Sequence, residues 1–251
     1  MPFRLRKKKK RLIILSSVLA FIAGLFLLLW LSVPDVRMLQ KQNPRETAMM
    51  RYRRERASAK GMKYSLRYTW ISLSGISGHL LRAVVMAEDD KFYQHEGFDW
   101  QEIRNALDKD IRDKRFSRGA STITQQLAKN LYLSPKKSLF RKLREALIAR
   151  ALNRNLKKRR ILELYLNIIE WGNGIFGAEA ASRYYFNKSA WGLTPSEAIR
   201  MACTIPNPLR YSPTGNKSRF MKSYRISIAD RMLKRGYLTQ EEYDQLDFLS
   251  P

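Results

Sequence analysis

The sequence predicts an all-α domain carried behind one N-terminal transmembrane helix, and three observations predict it. Leu12 to Val33 is a 22-residue run without a charge, long enough at about 1.5 Å per residue to cross a bilayer as a helix. From Ser77 onward, apolar residues recur at helical spacing between N-cap signals. Alternation with a period of two surfaces once, weakly, where Tyr64, Leu66, Tyr68 and Trp70 are separated by Ser65, Arg67 and Thr69, and no convincing sheet is expected.

Arg4, Arg6, Lys7, Lys8, Lys9, Lys10 and Arg11 precede the apolar run, so the positive-inside rule keeps residues 1–11 in the cytoplasm and sends everything after Val33 across. A cleaved signal peptide fits less well. The run exceeds the roughly 7 to 15 residues of a signal core, and no small-x-small cleavage site follows it. Residues 34–69 then read as a basic membrane-proximal segment. Between Arg37 and Arg67 ten cationic residues stand against Glu46 and Glu55, interleaved with Met49, Met50, Tyr52, Met62 and Tyr64. Such a stretch suits a membrane surface, with cationic side chains at the headgroups and apolar ones dipping below; a solvated linker is the alternative.

The helices follow in order. Ser77 caps one to about Glu88, and Asp99, with Glu102 three residues on, caps another to about Asp113. A third begins at Ser121 or Thr122 and runs to Tyr132. Ser134-Pro135 starts a long one through Leu156, because proline suits the first helical position. Arg159 to Glu170 is apolar at helical spacing and ends at the Gly172-Asn173-Gly174 turn. Phe176 to Phe186 follows. Thr194-Pro195-Ser196-Glu197 and Thr239-Gln240-Glu241-Glu242 are capping boxes for the last elements.

The formal charge of +26 over 251 residues demands an anionic partner. Removing the seven cations before the span leaves +19, most of it outside the cytoplasm, so nucleic acid is excluded as the partner and anionic lipid or a phosphorylated substrate remains. The single cysteine, Cys203, excludes an internal disulfide and reads as a small buried hydrophobe.

Three stretches carry candidate chemistry. Glu88 falls at a helix C-terminus, where the negative dipole end and partial burial by Phe92 and Phe98 raise a carboxyl pKa toward that of a usable base. A solvated acidic loop closed by Gly97 is the alternative. Gly119-Ala120-Ser121-Thr122 opens a helix with free N–H groups and hydroxyls suited to an anionic oxygen, and Gln126, Lys129 and Asn130 share one face of it, although a merely solvated face would look the same. Lys137, Arg141 and Glu145 follow at i, i+4 and i+8, a stripe that by itself would also suit a surface salt-bridge ladder.

These stretches together carry a resemblance. E-D-x-x-F-x-x-H-x-G-x-D at Glu88 to Asp99, G-A-S-T-I-T-Q-Q-L-A-K-N at Gly119 to Asn130, R-K-x-x-E at Arg141 to Glu145 and I-L-E-L-Y-L-N at Ile161 to Asn167 resemble the ordered motifs of the peptidoglycan glycosyltransferases. This is glycosyltransferase family 51, whose domain is shared with bifunctional penicillin-binding proteins. With one span and no room for a transpeptidase domain, the chain resembles the monofunctional members. The likeness covers roughly Trp70 to Tyr211, and the glycosyltransferase domain is placed at 70–251.

The resemblance implies a lysozyme-like helical fold with a small membrane-associated jaw, supplied by the segment before Ser77 and part of Asp113 to Gly119. It implies lipid II as substrate, inversion at the anomeric carbon, β-1,4 glycan as product and undecaprenyl pyrophosphate as leaving group. Glu88 is similar in position to the family's general base and Glu145 to its second glutamate. Ser121, Thr122, Gln126, Lys129, Asn130, Lys137 and Arg141 would bind the donor. Many members place arginine where this chain has Lys137, a change that keeps the charge and loses bidentate phosphate geometry. His95 reads as a positioning residue. A divalent cation such as magnesium goes with the family, although no ligand cluster of usual metal spacing is present in the sequence. The implied partners are the growing glycan chain, the membrane, and other cell-wall synthesis or division proteins. Two other functions compete with this one. A lytic glycan hydrolase would need a general acid, and the +14 between Arg112 and Arg160 suits a pyrophosphate better than a neutral glycan. A non-enzymatic cell-wall scaffold would not depend on Glu88.

Overall fold

The computed structural model describes residues 2–102, 104, 108, 121–136, 138–215 and 218–248, with side chains from residue 14 onward apart from 22 and 26. Helix α1 (Pro2–Leu31) starts inside the basic tail and runs unbroken through the apolar segment. Its stretch Ile14–Leu31 is long and apolar enough to cross a membrane. Of the described side chains from 14 to 31, only Leu29 is buried.

Helix α2 (Ala48–Ser58) is capped by Thr47, whose hydroxyl accepts from Met50 N at 3.2 Å. Met49 and Met50 were expected to dip into a membrane; both are instead buried within the protein, beside Phe176. The reason is that the domain itself offers α2 an apolar partner, and burial there removes the methionines from water as effectively as lipid would.

A small sheet joins the segment ahead of Gly78 to the turn after Ile168, which corrects the expectation that no convincing sheet would form. Strand β1 (Arg67–Tyr68) pairs parallel with β3 (Ile175–Phe176), and β2 (Glu170–Gly172) pairs antiparallel with β3, giving the order β1-β3-β2. The weak alternation between Tyr64 and Trp70 falls on β1, whereas β2 and β3 contain too few residues for alternation to register in sequence. Asn167 extends the join: its side chain accepts from Ile71 N and donates to Ile71 O, both at 2.9 Å, copying a strand pairing with an amide. The next turn permits only glycine at 177, where φ is +85° and an added Cβ would lie 2.6 Å from Asn167 O.

The remaining helices are α3 (Gly78–Glu88), α4 (Ile123–Tyr132), α5 (Leu139–Asn155), α6 (Lys158–Ile168), α7 (Ala178–Phe186), α8 (Pro195–Ala202), α9 (Arg219–Lys234) and α10 (Gln240–Asp244). The all-α, lysozyme-like expectation holds. Asp99 caps a helical stretch as expected, its Oδ1 accepting from Gln101 N and Glu102 N. That stretch's expected end near Asp113, and the 113–119 part of the jaw, lie outside the described residues. One helix start is corrected. α5 begins at Leu139, after Ser138, whose hydroxyl accepts from Arg141 N at 3.1 Å; Pro135 belongs to the link from α4.

Helix α4 is central, packed against α5, α6 and α2, while α3 packs against α8 and α9. Ile123, Leu127, Ile148, Leu152, Ile161 and Leu162 are fully buried, each contributing about 1.5–3 kcal/mol through burial. Cys203 is buried with them, and desolvation pushes its thiol up to about 12, as a small core hydrophobe requires.

Candidate active site

Helix α3 delivers Glu88 at its last turn, where Asp89 leaves helical geometry. Tyr224 Oη donates to Ala87 O at 3.3 Å and holds that end in place. The Glu88 carboxylate stays open on one side to a pocket of about 220 Å³ lined also by Asp89, Ser121, Thr122 and Arg231. Loss of its water shell to the surrounding protein raises its pKa above the ordinary carboxylate value, and the nearby Asp89 adds to the rise. Gln126 and Lys129 oppose it.

Gln126 Nε2 donates to Glu88 Oε2 at 2.7 Å. Its orientation is fixed from behind: Tyr165 Oη donates to Gln126 Oε1 at 3.0 Å. Tyr165 is fully buried and its phenol is pushed well above its usual range, so it stays a donor and the amide turns its NH₂ toward Glu88. Three elements, α3, α4 and α6, thus meet at one carboxylate.

The second carboxylate, Glu145 on α5, is buried at 2 % exposure. Arg141 Nη1 donates to its Oε2 at 2.7 Å, and Lys142 Nζ contacts Oε1. Lys142 also donates to Ser121 Oγ at 3.2 Å, tying α5 to the start of α4. Lys129 lies in the field of both Glu145 and Glu88; desolvation lowers its pKa, and the two carboxylates raise it. Among the described residues its ammonium has no hydrogen-bond partner. Arg141 Nε is likewise buried without one.

The structure therefore brings together Glu88, Ser121, Gln126, Lys129, Arg141 and Glu145. Lys137 lies outside the described residues. Thr122 and Asn130 are spent locally. Thr122 Oγ1 donates to Gly97 O at 2.8 Å and accepts from Gln125 N as the N-cap of α4, and Asn130 Nδ2 donates to Gln126 O at 2.9 Å. The expectation that the α4 N-terminus offers free N–H groups to an anion is corrected. Asp89 Oδ2 accepts from Ile123 N at 3.0 Å, and Thr122 takes Gln125 N, so two of the first three donors are occupied.

Asp89 is also bonded by His95, whose Nε2 donates at 2.8 Å while its Nδ1 accepts from Gly97 N. His95 braces Asp89 within the acidic loop, and Asp89 in turn ties that loop to Ile123 N at the start of α4. The implied divalent cation finds no fitting ligand set: among the described residues no group of three His, Cys, Asp or Glu side chains could hold a metal, and Asp89 and Glu145 already have cationic or N–H partners. Sequence reasoning missed Asp89, Lys142, Tyr165 and Arg231 as site residues. The first three lie inside the quoted motifs; only Arg231, on α9, left no signal.

The family model described as Transglycosylase matches residues 55–233. Biosynthetic peptidoglycan transglycosylases are similar along most of the chain. That of Aromatoleum aromaticum is 53 % identical over 67 % of this chain and 74 % of its own. That of Azoarcus sp. is 50 % identical over 76 % and 84 %, and that of Chromobacterium violaceum 43 % over 85 % and 94 %. With Glu88 joined to α4 through Gln126, and Glu145 joined to it through Lys142 and Ser121, and with these likenesses spanning them, the chain belongs to the transglycosylase family and is a peptidoglycan glycosyltransferase.

Proposed function

We propose that the enzyme polymerises lipid II into β-1,4 glycan with inversion, releasing undecaprenyl pyrophosphate, and that Glu88 removes the proton from the attacking sugar hydroxyl. The observation that carries this reading is the placement of Glu88 and Glu145 around Lys129. A sugar hydroxyl is a poor nucleophile and needs a base; a pyrophosphate is a weak base and needs positive charge in place of a proton. Glu88, raised by burial and oriented by Gln126, suits the first demand. Lys129, Arg141 and Lys142 suit the second, with Glu145 holding the last two in place. Ser121 lies beside Lys142 where a donor oxygen would meet it, and Lys137 adds a further cation from the α4–α5 link. Thr122 and Asn130 shape the site through the backbone they bind.

A raised carboxyl pKa would also suit the general acid of a hydrolase, but a hydrolase has no use for an unpartnered cation such as Lys129 at its leaving group. Incubating the purified full-length protein with lipid II and resolving the products by size tests the proposal. Long glycan chains from the native enzyme and none from Glu88→Gln are expected. Polymerisation by Glu88→Gln at the native rate would refute the assignment of the base.

The same reading places α1 across the plasma membrane, with residues 1–11 cytoplasmic and the catalytic domain on the extracytoplasmic face, beside other proteins of cell-wall synthesis. Sharing a bilayer with a lipid-tailed substrate raises the effective concentration of each for the other. Deleting the residues before Val33 then weakens the rate in liposomes without abolishing it; an unchanged rate would contradict the anchor's role.

A further inference from the structure

A second pocket, of about 420 Å³, lies along the C-terminal half of α5, between its flank and the C-terminal end of α1. Trp30 and Val33 form one wall; Leu147, Arg150, Ala151 and Arg154 form the other, at positions that share one face of α5. The two walls are fixed to one another. Arg144 donates from Nη2 to Ser32 O at 3.1 Å and from Nε to the same oxygen, and Leu29 is buried at 3 % exposure.

The chemistry of the lining is divided. Trp30, Val33, Leu147 and Ala151 are apolar, whereas Arg150 and Arg154 are exposed and, among the described residues, neither has an ion-pair or hydrogen-bond partner. No carboxylate lines the pocket. Tryptophan at the end of an apolar helix and arginine beside it are the residues that settle at headgroup depth. We propose that this pocket holds the headgroup of an anionic phospholipid of the surrounding bilayer, its phosphate between Arg150 and Arg154 and the start of its acyl chains against Trp30 and Leu147. The inference rests on reading α1 as a membrane span. Bound lipid would set the depth and tilt of the catalytic domain, because α5 also carries Arg141, Lys142 and Glu145.

Native mass spectrometry of the full-length protein, released from detergent after incubation with phosphatidylglycerol or phosphatidylcholine, tests it. Retention of phosphatidylglycerol over phosphatidylcholine is expected. Losing both guanidinium charges in Arg150→Ala/Arg154→Ala should weaken it about thirtyfold, while Arg150→Lys/Arg154→Lys, which keeps the charge, should retain most of it. Equal retention of the two lipids, or an undiminished preference in the alanine variant, would overturn the proposal. So would displacement of the phospholipid by lipid II, which would give the pocket to the substrate. Alkaline carbonate extraction of membranes separates the two readings. Release of the protein overturns the span and the lipid site together, whereas a protein that stays in the membrane yet shows no lipid preference overturns the lipid site alone.

Discussion

The amide of Gln126 reaches the carboxylate of Glu88 at 2.7 Å across 38 residues of sequence, and this bond sets the state of the proposed base. A donor to a carboxylate favours its ionised form, so Gln126 works against the burial that raises Glu88.

Removing that donor with Gln126→Ala should raise the Glu88 pKa further. A charge-assisted hydrogen bond contributes about 1.5–3 kcal/mol to the ionised form, and its loss favours the protonated one. The base form then requires higher pH, so the acid limb of the pH–rate profile moves upward and raising the pH restores part of the rate. A limb that stays in place, with activity lost uniformly, would show that Gln126 acts only by contacting substrate.

Glu88→Gln should lower polymerisation by about 10²–10⁴-fold, the usual contribution of a general base. It should also stabilise the fold at neutral pH. A carboxyl whose folded pKa is raised stabilises the fold fully below its unfolded pKa and loses that contribution as pH rises through the folded value. At neutral pH the wild type therefore carries an unfavourable buried charge that the amide lacks. A Tm higher by about 2–4 °C is expected for a gain of about 1 kcal/mol, with the difference vanishing in acid. An unchanged Tm at both pH values would count against burial as the cause of the shift.

Tyr165→Phe keeps the ring and deletes the hydroxyl that holds Gln126. The variant should remain folded, losing about 1 kcal/mol, while the amide becomes free to turn its oxygen toward Glu88. About tenfold slower turnover with an upward-shifted acid limb would identify Tyr165 as a positioning residue. Slower turnover without the shift would point to a packing effect alone.

Glu145→Gln leaves Arg141 and Lys142 beside a neutral side chain. Arg141 is largely buried, so breaking the pair should cost about 3 kcal/mol in denaturant unfolding. Arg141→Ala/Glu145→Ala should cost less than the sum of its single changes, because neither charge is left alone. Strict additivity would show that the pair is not coupled.

Much of the local architecture was legible in the sequence. Ser77, Asp99, Thr194 and Thr239 cap helices in the structure as their spacing predicts, because a cap is an interaction between a residue and its own chain two or three positions on. Arg141 and Glu145 are paired for the same reason, a single helical turn apart. The placement of Glu88 at the end of α3 and the order of the family motifs were legible too. Where the reading failed, at the start of α5 and at the short sheet, the signals compete within a few residues or span too few of them.

The sequence by itself determined which helices form, where their polar faces and caps fall, and which family's motifs they carry. Only the tertiary structure decided what those polar groups do. It turned Thr122 and Asp89 to holding α4, aimed Gln126 at Glu88 through Tyr165, and set Lys142 against Ser121. The physical reason lies in sequence separation. A helix fixes which side chains adjoin within a turn, but Tyr165 and Gln126 are 39 residues apart, and packing between helices alone brings them within reach.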